Sequence, residues 1–243
     1  KTVQMRLNDN GNEPNIMIDN QPVEIANEFK YLGSHISSTE KDVNSRIALA
    51  WVAFDKLKDI LRARSQKLTI NTKFRLYNAA CISILLYGCE SWVLTEKDRN
   101  KLDVFHRTCL RIMMGHNQSE NHMTNEELYI STGQRKISDE IRRRQLKFTG
   151  HCLRMKPEEP VNTYVLYESN RSSVGQRGKG RPKHTYLGQD VSHINVKKDN
   201  DAVNVISRFA SDRKAWIKLI DGSKLPKPAS NSVLDAPGND DAR

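Results

Sequence analysis

The sequence predicts a mainly α-helical chain, and three observations carry that prediction. Apolar residues recur at helical spacing through most of residues 39–155 and again over 201–220, so each stretch presents one apolar stripe. Helix-start pairs (Thr39 with Asp42, Thr95 with Asp98, Thr124 with Glu127) precede these stretches, and Gly88, Gly115 and Gly133 close them. Alternation with a period of two is confined to residues 1–36. At 243 residues the chain is long enough for one large domain or two small ones with a real core.

In chain order, Val3, Met5 and Leu7 alternate as a strand, and Asn8 to Pro14 is turn chemistry. Ile16 and Ile18 alternate again, and Asn20-Gln21 is a tight-turn candidate before Val23 and Ile25. Phe29 to Leu32 is a further short strand, stopped at Gly33. Strands this short need neighbours, and with none following they read as the edge of a sheet continued by an upstream segment. The opening residue, Lys1 rather than Met, agrees with a piece of a longer protein.

A first helix starts at Thr39, with Val43, Ile47, Ala50, Trp51, Phe54, Leu57 and Leu61 on one face. A second runs from about Asn71 to Tyr87 through Leu76, Tyr77, Ala80, Ile84 and Leu85. A third opens at Thr95, buries Leu102, Phe105, Cys109 and Ile112, and ends at Gly115. Together the three make an antiparallel bundle. A short helix follows Thr124. The next runs from Ile137 to about Met155, with Ile141, Leu146 and Leu153 apolar, and is ended by Pro157 and Pro160. Glycines at 175, 178 and 180 and Pro182 interrupt residues 169–184. Helix returns over 201–220 with Val205, Phe209, Trp216 and Leu219, and residues 223–243 read as a disordered polar tail. The expected organisation is therefore a sheet remnant (1–38), a helical bundle (39–118), a basic helical region (119–222) and the tail.

Lys plus Arg number 39 against 29 Asp plus Glu, a net charge of +10. That field attracts polyanions, of which nucleic acid is the commonest. No apolar run approaches the ~20 residues that span a bilayer, so no membrane role is expected. The cysteines (Cys81, Cys89, Cys109, Cys152) form no CxxC pair, which suits an intracellular, reduced protein, nuclear or cytoplasmic.

The segment FKYLGSHIS at residues 29–37, followed by RIALAWVAFDKL, resembles the palm–thumb junction of reverse transcriptases from LINE-type (non-LTR) retrotransposons. Three later stretches agree in order: ILLYGCESW at 84–92, LRIMMG at 110–115, and LKFTGHCLRM with GRPKHTY at 146–155 and 180–186. The resemblance covers roughly residues 1–190 and implies an RNA-directed DNA polymerase as parent. It makes Phe29, Tyr31, Leu32 and Gly33 a primer-grip-like hairpin and the helices from residue 41 a thumb, with Lys1-Thr2 ending the preceding palm motif. Polymerase aspartates and their two Mg²⁺ ions would lie upstream, with the rest of the polyprotein. The adjacent Asp240-Asp241 sit in the polar tail with no strand context, so this piece alone is expected to be catalytically inactive and to carry no cofactor.

The expected partner is RNA, DNA or an RNA–DNA hybrid, held mostly through phosphates. Arg62, Arg64, Lys67, Lys73 and Arg75 form an acid-free turn, of which Lys73 and Arg75 are assigned to the duplex. Residues 135–156 carry eight cations against Asp139 and Glu140, with Arg142, Arg143, Arg144, Lys147 and Arg154 assigned to binding. Consecutive Arg142 to Arg144 step ~100° apart on a helix and do not share one groove. The loop 171–183 contributes Arg177, Lys179, Arg181 and Lys183, with glycines that admit a close phosphate. Each cluster is also readable as a solvated charged face. His151-Cys152 lacks paired zinc-ligand spacing, so no metal site is expected, and Trp51, Phe54, Trp92, Phe105 and Trp216 read as core. Two alternatives stay open: a stand-alone nucleic-acid-binding module derived from such an element, and a helical protein-interaction scaffold kept soluble by its charge.

Overall fold

Six two-residue strands open the chain in the computed structural model, which describes residues 2–6, 14–35, 38–62, 68–116, 122–156, 158–165 and 202–222. They are β1 (Val3–Gln4), β2 (Met17–Ile18), β3 (Gln21–Pro22), β4 (Glu24–Ile25), β5 (Lys30–Tyr31) and β6 (Ser34–His35). β1 lies parallel to β4, whereas β2–β3 and β5–β6 are antiparallel hairpins. The first hairpin turns at Asp19-Asn20, not at Asn20-Gln21, because Asp and Asn tolerate the positive φ (51° and 59°) that a two-residue turn demands. The expectation that no strand follows Phe29–Leu32 is also corrected. β6 pairs with β5, and Leu32 lies in the turn rather than in the strand.

The helices are α1 (Thr39–Lys56), α2 (Lys58–Leu61), α3 (Ile70–Tyr77), α4 (Ser83–Leu85), α5 (Glu96–Met114), α6 (Asn125–Thr132), α7 (Ile137–Leu153), α8 (Pro160–Val165), α9 (Ala202–Ser211) and α10 (Arg213–Gly222). Ser38, not Thr39, caps α1: its Oγ accepts from Lys41 N, which frees Asp42 for another task. Full capping boxes at Thr95/Asp98 and Thr124/Glu127 start α5 and α6 where the sequence signals them. The expected single helix over 71–87 is α3, a π-helical turn (Asn78–Ile82) and α4. Residues spaced by four drift by ~40° per step in an α-helix. The wider turn offsets that drift, so Tyr77, Cys81 and Leu85 all stay buried. Pro160 begins α8 rather than only ending the preceding helix, as suits its fixed φ and missing N–H. The helix expected over 201–220 is two, because the Asp212 carboxylate accepts from the N–H groups of Lys214 and Ala215 and starts α10.

The chain divides into two compact units, residues 1–145 and 146–243, with the dividing point inside α7. In the first, α1, α3, α5 and the π turn surround a core that includes Phe54, Tyr77, Leu85, Leu102, Phe105 and Met113. Trp51 packs edge-to-face on Phe54 and Phe105, at 5.9 and 4.9 Å between centroids. Asp103 of α5 accepts from Ser138 N (3.0 Å) and Oγ (2.8 Å), placing a carboxylate at the positive end of α7. In the second unit, Leu146, Ile206, Ala210 and Trp216 form a small core. Trp216 Nε1 donates to Leu146 O (2.9 Å), and a Cβ at Gly150 would stand 2.1 Å from that nitrogen, so only glycine admits the indole. Among the described residues no helix is long and apolar enough to cross a membrane.

Candidate nucleic-acid interface

The hairpin β5–β6 is an exposed and tightly held feature of the first unit. Leu32 and Gly33 have φ of 47° and 87°, the pair of left-handed residues whose twist matches flanking strands. For leucine that conformation costs about 1–2 kcal/mol. Gly33 has a second reason to be glycine, since a Cβ would lie 3.1 Å from Arg46 Nη2. Three side chains pin the strained turn. Arg46 Nη2 donates to Gly33 O (2.7 Å), Tyr87 Oη to Leu32 O (3.0 Å), and Asp42 Oδ1 accepts from His35 N (2.6 Å). Arg46 and Asp42 are buried, and the Arg46 guanidinium stacks 4.3 Å above the Tyr87 ring. Lys41 pairs with Glu28 just before β5.

The residues assigned by sequence to a primer grip thus split in two. Tyr31 and Leu32 face solvent at 59% and 73% exposure, while Phe29 and Gly33 are half-buried. What the sequence reading missed is the anchoring set. In sequence Asp42 carries a capping signal, and Arg46 is a charge set among Val43, Ile47 and Ala50 on an apolar face. Such an interruption is the signal of a buried partner. Tyr87 lies in the ILLYGCESW stretch but carried no assigned role.

A cavity of about 340 Å³ adjoins the hairpin. It is lined by Ser34, Ser38, Thr39, Ser91 and Asp42. Tyr31, His35 and Trp92 complete the lining. Trp92 is 2% exposed, and neither its indole N–H nor His35 Nδ1 has a hydrogen-bond partner among the described residues. Among the described residues no lysine or arginine lines the space.

Of the predicted phosphate-binding cations, Lys73 is withdrawn. It is 3% exposed, and its Nζ donates to Arg62 O (2.7 Å), capping the end of α2. A buried ammonium holding a carbonyl serves the turn, not a ligand. Arg75, on the same helix, is exposed and forms no ion pair among the described residues, and Arg62 is exposed beside it in the chain. Arg143 and Arg144 are half-buried and share Glu140, at 3.9 and 3.4 Å, and Arg142 is half-buried as well. These pairs are near-surface and weak, on the order of 0–1 kcal/mol, so a phosphate can replace the carboxylate. Lys147 is half-buried in the second unit. Arg154 donates to Ala210 O (2.8 Å), tying α7 to α9, so its guanidinium is partly committed to the fold. Arg177, Lys179, Arg181 and Lys183 lie outside the described residues, as do Arg64 and Lys67.

Burial works against nucleophilic chemistry. All four cysteines are buried free thiols. Burial pushes Cys81 up to about 11 and Cys89 to about 12, far from a reactive thiolate. Among the described residues no group of three or more His, Cys, Asp and Glu converges to hold a metal ion. Comparison with family models, with curated proteins and with solved structures found no match.

Proposed function

We propose that the chain is a nucleic-acid-gripping part of a reverse-transcriptase-like protein, holding a primer–template or target strand while supplying no catalytic step itself. The observation that carries this reading is the hairpin. Its tip is held in a strained conformation by Arg46, Tyr87 and Asp42, and it presents Tyr31 and Leu32 to solvent. Strain that the surroundings hold in place is characteristic of ligand-contacting segments. An exposed aromatic on a rigid mount offers a stacking surface for a base. Elsewhere on the first unit Arg62 and Arg75 are exposed cations, and the chain carries a net +10. Each phosphate contact releases a condensed counterion, so grip depends on salt rather than on sequence.

The test is a titration of the full chain with a labelled RNA–DNA hybrid at several salt concentrations. The expected result is binding whose logarithm falls with log salt at a slope of several, independent of base sequence. Tyr31→Ala weakens binding with the slope unchanged, because stacking releases no ion. A flat slope, or no binding at low salt, overturns the proposal in favour of a helical protein-interaction scaffold.

A further inference from the structure

We infer that the cavity beside the hairpin binds a single ribonucleoside unit, taking the sugar hydroxyls and the base but leaving phosphate outside. The choice of a nucleoside over another neutral hydroxylated ring rests on the nucleic-acid reading above; the chemistry of the cavity rests on its own walls.

The size suits one such unit, since about 340 Å³ falls at the lower end of the ~300–1,000 Å³ spanned by small-molecule sites and is too small for a base pair with its backbone. The charge excludes a phosphate. Among the described residues no lysine or arginine lines the space, and Asp42 would face the anion directly. The start of α1 opens on the cavity through Ser38 and Thr39, but its positive end already has Glu40 and Asp42 in its first turn. What remains is a wall of acceptors and hydroxyls. Asp42 Oδ1 is held by His35 N–H, and Oδ2 has no partner among the described residues. A carboxylate oxygen beside Ser and Thr hydroxyls is a good acceptor set for a vicinal diol, because each sugar hydroxyl can donate to one and accept from another. His35 and Trp92 also line the space, but His35 Nδ1 and the Trp92 indole N–H are themselves buried and are not open to a ligand in this structure. The exposed ring of Tyr31 supplies a stacking face. The cavity is also preformed, since the three hydrogen bonds that pin the hairpin set one of its walls.

The experiment is a titration of the full chain with adenosine, uridine, their 2′-deoxy counterparts and adenosine 5′-monophosphate, followed by chemical-shift changes in the Trp92 indole and the Ser34 and Ser91 amides. Both ribonucleosides are expected to shift these signals. The deoxy forms bind about fivefold more weakly, the loss of one hydrogen bond, and the monophosphate binds less tightly than its nucleoside. Asp42→Asn keeps an oxygen for the His35 N–H, removes the charge, and is expected to erase both preferences. Tyr31→Ala lowers affinity for every nucleoside and leaves the ribo-to-deoxy ratio intact. Equal binding of ribose and deoxyribose forms, a monophosphate that binds tighter than the nucleoside, or unmoved signals at the solubility limit would each overturn the inference. Hybrid binding without nucleoside binding removes this site alone. Nucleoside binding without hybrid binding removes the gripping function alone.

Discussion

Lys73 and Arg75 sit two positions apart on α3 and have opposite fates, which the periodicity of the helix explains. Residues two apart point to different faces, so one cation lies over the end of α2 and the other in solvent. Replacing Lys73 with Met leaves the Arg62 carbonyl without its donor and is expected to cost about 1–3 kcal/mol of stability. The salt slope of hybrid binding stays as it was. Arg75→Ala should behave in the reverse manner, with an unchanged urea midpoint and a slope lowered by about one. His106 gives the residue scale a second, pH-dependent prediction. It is 1% exposed and stacks between Tyr77 and Tyr129, with its Nδ1 2.9 Å from Tyr77 Oη. Burial lowers its pKa from 6.5 to about 4. Above pH 6.5 the ring is neutral in both folded and unfolded chains. As the pH falls from 6.5 to 4, the unfolded chain takes up a proton that the folded one refuses, so stability declines across that window and levels off below it. The full effect is on the order of 3 kcal/mol. Urea midpoints at pH 7 and pH 4.5 measure it, and His106→Gln should flatten the difference; a wild-type midpoint that does not move with pH contradicts the assignment.

At the scale of elements, the hairpin and the helix starts show two ways in which local sequence and structure can relate. The capping boxes at Thr95 and Thr124 were legible because donor, acceptor and spacing all lie within four residues of one another. The hairpin turn was not legible, because Leu32-Gly33 is a poor turn pair on its own: leucine resists a positive φ. Arg46, Asp42 and Tyr87, from 7 to 55 residues away, hold it in place. Replacing Leu32 with Asn creates the preferred Asn-Gly turn and is expected to stabilise the first unit by about 1 kcal/mol, read as a rise in its melting temperature. It also deletes an exposed apolar tip. If that tip contacts bases, hybrid affinity falls while stability rises, an opposition that a purely structural hairpin would not show.

For the whole molecule, the helical periodicity did most of the predictive work. The stripes from Val43 to Phe54 and from Leu102 to Met113 are core in the first unit, as spacing alone implies. Periodicity says which face is apolar but not which helices meet. The division within α7 at residue 145, and the seat that Gly150 leaves for Trp216 some 66 residues later in the chain, therefore had no local signature. Charge patterning was legible as composition and not as surface. The eight cations of residues 135–156 include side chains shared with Glu140 and one committed to Ala210 O, while Lys136 pairs with Glu126.

The sequence by itself determined that the chain is mainly helical, where most helices start and stop, and that it carries an excess of positive charge. These are properties of neighbours within a turn or two, or of composition. Only the tertiary structure decided which cations remain exposed, which residues hold the hairpin, and that a cavity lined by no lysine or arginine among the described residues lies beside it. Burial and partner choice depend on groups brought together across tens of residues, and one carbonyl or carboxylate at 3 Å can turn a surface lysine into a structural one.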